Sequence, residues 1–171
     1  MGTSYWHPAG HGSVFQPTPL PLLNGTAEDG CTIIEQPAGL HTLAQRYVDR
    51  AVDFIKRQAQ AAKPFVLYMP FNHVHNPQFC SDKWCNTSTA IGNGAAIPNP
   101  DSVTHGAGIG SSVQEMDDAV GQIMAAIKAA GIDESTLTFF TSDNGAPPNH
   151  GPSSNLPLKG FKGSVDEGGI R

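Results

Sequence analysis

One pattern of apolar positions occurs twice along this chain. In "TLAQRYVDRAVDFIKRQAQAAK", which begins at Thr42, the residues Leu43, Tyr47, Val48, Ala51, Phe54 and Ile55 recur at helical spacing and make one apolar face. Thr42 and Gln45 fit a capping box. Pro64 follows the helix, and "FVLYM" is a short apolar run suited to a buried strand. The second stretch opens on Ser112 and Glu115, which offer another capping box. Val113, Met116, Val120, Ile123, Met124 and Ile127 form its apolar stripe, Gly131 fits a C-cap, and "TLTFFTS" reads as a second buried strand. Helix, strand, helix, strand predicts an α/β domain with a mainly parallel sheet flanked by helices.

The flanks are different. Residues 1–40, with Pro-rich "FQPTPLPLL", predict a loop-rich lead-in, and 41–171 the α/β units of one domain. From Asn72 to Gly110 the composition turns to Asn, Gly, Pro, Ser and His, which predicts a long functional loop. With 19 Gly and 14 Pro in 171 residues the chain is loop-rich, yet long enough for a core. The net charge of −5 argues against a nucleic-acid surface. No apolar run is long enough for a membrane span, and the first residues do not read as a signal peptide. Oligomeric state is not legible. Cys31, Cys80 and Cys85 leave an odd thiol, and the sequons at Asn24 and Asn86 lean toward a secretory origin.

Candidate chemistry gathers where the predicted strands end. In open parallel sheets ligands sit beyond the carboxyl ends of the strands. The first run leads into "PFNHVHNPQF" and the second into "SDNG", so His73, His75, Asp143 and Asn144 are expected on one rim. Asp143 and Asn144 offer oxygens that suit Ca²⁺ or Mg²⁺, although Asp-Asn-Gly also makes an ordinary turn. His73 and His75 are two apart, which in an extended chain aims both the same way. They fit a metal pair, a general acid, or histidines hydrogen-bonded within a loop. Lys159 and Lys162 lie among glycines, where a lysine can hold an oxyanion. Lys162 is the stronger candidate and Lys159 fits a solvated side chain.

Three stretches in order carry a resemblance: "PFVLYMPFNHVHNPQF", "MDDAVGQIMAAIKAAGIDESTLTFFTSDNG" and "LKGFKGSVDEGGIR". Together they resemble the sulfatases, the arylsulfatase A and galactosamine-sulfatase branch most of all. Lys159 stands where the family has arginine, and Asp166 where it has an aromatic residue. The resemblance implies a partial alkaline-phosphatase-like domain and a sulfate ester substrate, aryl or sugar. It implies that Asp143 and Asn144 ligate a divalent cation, usually calcium. His75 matches a histidine that transfers a proton or binds sulfate, and Lys162 matches the lysine that holds sulfate. Glu167, Gly168, Gly169 and Arg171 match a structural motif. The family's nucleophile is a formylglycine made from the cysteine of C-x-P-x-R. Cys31, Cys80 and Cys85 stand in no such sequence, so the formylglycine is not in this chain. The chain therefore reads as an internal piece of a lysosomal or secreted sulfatase, inactive in isolation. The alternatives are a metal-dependent phosphate or phosphonate ester hydrolase, or a non-catalytic truncated product.

Overall fold

Apolar spacing and chain punctuation set the frame that carries the loops of interest. A computed structural model describes residues 21–26, 28–75, 79–85, 108–148 and 154–171. Helix α1 runs Leu40–Gln60 and α2 runs Ile109–Ala129, each 21 residues long. On α1 the predicted face is the buried one: Leu43, Val48, Ala51 and Ile55 are buried and Tyr47 and Phe54 half-buried. Ile55 packs with Ala126 and Ile127 of α2, and Val52, Phe65, Leu67, Ile123, Ala130 and Ile132 close around them. Phe54 meets Phe65 edge to face, with centroids 5.4 Å apart. Gln45 and Gln122 add a polar clasp between the helices.

Neither capping box forms. The helices start earlier, at glycine N-caps Gly39 and Gly108, with no side-chain cap bond. Thr42 instead donates its hydroxyl to the Gly39 carbonyl at 3.1 Å, and Gln45 donates to Asp49. Ser112 and Glu115 are engaged by a neighbouring loop. The C-terminus of α2 follows the expectation. Gly131 takes φ +68°, its amide bonds Lys128 and the Ile132 amide bonds Ile127, a Schellman ending.

One expectation needs correction and a second is not confirmed. Residues 1–40 are not all loop, for β1 (Leu22–Thr26) and β2 (Gly30–Glu35) form an antiparallel hairpin. Its turn is held by Thr26, whose hydroxyl bonds Asp29 and accepts from the Asp29 amide. Leu22, Leu23, Ile33 and Ile34 were the signal, masked by the surrounding prolines. Secondly, no parallel pair occurs among the described residues; the hairpin is their one sheet. An extended segment becomes a strand only when a neighbour joins its backbone in a ladder. Residues 65–69 keep the two-residue alternation of extended chain, with Phe65 and Leu67 packed on the helices and Val66 and Tyr68 91% and 82% exposed. Residues 136–142 are not buried either: Leu137, Phe139 and Phe140 are exposed. No helix is long and apolar enough to cross a membrane, among the described residues.

Candidate functional site

Phe79 to Cys85 lie along α2 in a regular way. The Ser112 hydroxyl donates to the Phe79 carbonyl at 3.1 Å. The Ser81 amide donates to both oxygens of Glu115, at 3.1 and 3.3 Å. Lys83 pairs with Asp118 at 3.3 Å and stacks over Trp84. Alternate residues of the loop thus meet helix positions 112, 115 and 118, three apart and on one face. Cys80 and Cys85 form a disulfide, and the amides of Trp84 and Cys85 both bond the Ser81 carbonyl. Cys31 is a free, exposed thiol.

Upstream, residues 72–75 form a turn in which the His75 amide donates to the Asn72 carbonyl at 3.0 Å. The chain is not extended here, and the His73–Val74 peptide is cis. With the His73 ring buried and His75 exposed, the two side chains do not face the same way. The His73 ring is 2% exposed and its Nε2 lies 3.0 Å from Glu115 Oε2, whose side chain is 6% exposed. Phe79 covers the ring, with centroids 4.8 Å apart. His73 is held inside the loop, and His75 is exposed at its surface.

The second locus is the C-terminal motif. Asn155 is its hub: its side-chain oxygen accepts from the Ala146 amide at 2.7 Å, and its amide group donates to the carbonyls of Ala146 and Gly160. The Lys162 amide donates to the Ala146 carbonyl at 3.0 Å, and Gly145 donates to Gly169 at 3.1 Å. Lys162 is thereby fixed beside the segment of Asp143 and Asn144. Gly160 and Gly163 take φ +94° and +93° and bend the chain on either side of Lys162. Gly168 and Gly169 serve close packing: a Cβ would sit 2.7 Å from the Lys159 carbonyl oxygen and 2.3 Å from that of Ser164. They lie in the short helix α3, Glu167–Ile170, over which Arg171 pairs with Glu167. Lys159 is 88% exposed, 3.9 Å from Asp166.

The structure thus brings Lys162 to the segment of Asp143 and Asn144, and attaches the turn of His75 to α2. Asp143 is exposed and Asn144 half-buried, both before the buried Gly145. Their oxygens fit a hard cation in kind. Among the described residues no three His, Cys, Asp or Glu side chains gather as a metal site. Asn86 lies outside the described residues, and Asn24 is exposed on β1. Sequence reasoning missed Glu115, Ser81 and Asn155. A glutamate on the face between Ser112 and Ala119 was the available sign for the first; the other two left none.

The sulfatase family model matches residues 15–171, and the chain belongs to the sulfatase family. It is 36% identical over 148 residues to steryl-sulfatase of Rattus norvegicus, which covers 82% of this chain and 22% of that protein. It is 36% identical to N-acetylgalactosamine-6-sulfatase of Canis lupus familiaris over 142 residues, 81% of this chain and 24% of the other. Arylsulfatase A of Bos taurus is 35% identical over 156 residues, 90% of this chain and 26% of the other. The chain spans about a quarter of the length of the curated relatives it matches. A sulfatase domain implies an alkaline-phosphatase-like α/β fold, and sulfatases generally use a divalent cation. The phosphate or phosphonate ester alternative gains no support.

Proposed function

We propose that this chain supplies part of the site of a sulfuric ester hydrolase. The carrying observation is that the Lys162 amide and the Asp143–Asn144 segment are joined through Ala146 and Gly145, within a chain that matches the sulfatase family. Lys162 holds the sulfate as a point charge. His75 delivers a proton to the leaving alcohol or binds sulfate. Asp143 and Asn144 give two oxygen ligands to a divalent cation, calcium by preference for hard carboxylate and carbonyl donors. Bound there, the cation would neutralise ester charge. Two oxygens fall short of the roughly six to eight that calcium takes, so binding by this chain alone is weak.

No cysteine here stands in C-x-P-x-R. His75 and Lys162 can orient a sulfate but cannot attack its sulfur, so the chain alone is inactive. That same observation supports the second reading, a non-catalytic product. The disulfide supports passage through an oxidising compartment, secreted or lysosomal, in which Asn24 and Asn86 are glycan acceptors.

The test is release of a chromogenic phenol from an aryl sulfate, by this chain and by the product of the complete coding sequence. The expected result is no turnover by the first and turnover by the second. In the second, Lys162→Ala should cost about 3 kcal/mol, a hundredfold, as loss of a transition-state charge contact does. Turnover by this chain that survives replacement of all three cysteines would overturn the nucleophile argument. Full activity of Lys162→Ala would remove the lysine from the site.

A further inference from the structure

We infer that Glu115 and His73 are positioning residues for His75, acting from α2 through the turn that carries it. This rests on the reading of His75 as a group that works on the ester. Glu115 sits midway along the face of α2 on which the loop lies. Its carboxylate reaches back to His73, two residues before His75, and forward to Ser81, six residues after it. One side chain therefore ties both shoulders of the loop to a rigid helix. His73 lies inside the turn closed by the His75 amide and the Asn72 carbonyl. Displacing residue 73 displaces that turn, and His75 with it.

Packing does not call for this chemistry. The His73 ring is covered by Phe79, and an apolar ring of similar size would fill the same space. A buried carboxylate is unfavourable unless its oxygens are satisfied. Here they are satisfied by one amide and one imidazole, both from the loop. His73 Nε2 shares its hydrogen bond with this carboxylate, and Nδ1 is buried with no partner among the described residues. The ring is thus fixed by one directional bond, and that bond ends on Glu115. Ser112 and Asp118 meet the far part of the loop, at Phe79 and Lys83, while Glu115 meets the ring of residue 73.

The test has two arms. In the first, amide exchange is measured on this chain with Glu115→Ala, Glu115→Gln and His73→Phe. Glu115→Ala and His73→Phe should speed exchange at the His75 amide by about tenfold or more, while amides around Ile55 stay within about twofold. Glu115→Gln keeps shape and one acceptor, and should fall between. An unchanged His75 amide, or equal acceleration at Ile55, would overturn the inference. In the second arm, the product of the complete coding sequence is assayed on the aryl sulfate in a double-mutant cycle. Glu115→Gln should lower kcat by about tenfold with KM within about threefold, and by less than about twofold once His75→Ala is present. Equal factors in both backgrounds would mean a merely structural role and sink the proposal. If His75→Ala by itself leaves kcat unchanged, the role of His75 falls instead, and the exchange arm alone decides whether Glu115 sets the turn.

Discussion

Helices α1 and α2 have equal length and touch each other, yet they bury different kinds of residue. On α1 the apolar stripe and the buried face coincide, from Leu43 to Ile55. On α2 they diverge. Ser111, Ser112, Glu115 and Ala119 are buried, while Val113 and Met124 of the apolar stripe are 42% and 41% exposed. Val113, Met116 and Val120 instead line a shallow groove with Asp117 and Phe140. The reason is what each helix packs against. The described partners of α1 are largely apolar side chains of α2 and of residues 65–67. The N-terminal half of α2 receives a loop, and a loop brings backbone donors and acceptors that must be met. A buried polar face on a helix therefore marks a loop held in place, and here that loop follows the turn of His75.

Replacing one residue on each helix would sharpen this contrast. Ile55 is fully buried, and Ile55→Ala should cost about 2–4 kcal/mol in the stability of the helix pair, read from denaturant midpoints. Glu115→Leu comes next. If α2 were an ordinary apolar-packed helix, this change would be neutral or stabilising. The expected result is a loss of about 1–3 kcal/mol, because the Ser81 amide and His73 Nε2 lose their acceptor. Val113→Gln should change stability by no more than about 0.5 kcal/mol, since Val113 is 42% exposed and lies outside the buried face of α2. A cost near that of Ile55→Ala would show that the apolar stripe of α2 is buried after all.

The same contrast decides what was legible in the sequence. Both helices, the burial of α1 and the glycine C-terminus of α2 follow from local spacing, which a sequence displays directly. The motif around Lys162 was legible as a glycine-rich loop, and its resemblance named the family. Long-range polar pairing was not legible. Glu115 sits three residues after Ser112, which suits a capping box, and only the docked loop turns both toward other partners. Asn155 joins residues nine and five positions away by its amide group, with no local periodicity to betray it. The His73–His75 pair failed for a related reason: the two-residue rule needs extended chain, and residues 72–75 turn. The extended runs 65–69 and 136–142 were legible as apolar segments, but strand pairing depends on neighbours that sequence spacing does not specify.

The smallest expected effect concerns a polar contact near the start of α1. Arg46 pairs with Glu35 at the end of β2, and Glu35 also accepts from the Gly39 amide at 3.1 Å. This ties the hairpin to the helix start. The hydrogen bond from Arg46 holds the Glu35 carboxyl below its ordinary 4.5, aided by the charge of Arg46 and the Gly39 amide and opposed by partial burial. A carboxyl depressed in the folded state stabilises it fully above the unfolded value and loses that contribution as pH falls through the lower folded one. Both side chains are about a third exposed, at 36% and 35%, so solvent and salt screen the pair. Between about pH 6 and about pH 3 the wild-type chain should therefore lose slightly more stability than Glu35→Gln, and the difference should shrink in high salt. Parallel losses in the two proteins would show that the pair contributes nothing. A difference as large as the loss in Glu115→Leu would mean that α1, like α2, depends on a polar anchor, and the contrast between the helices would fail.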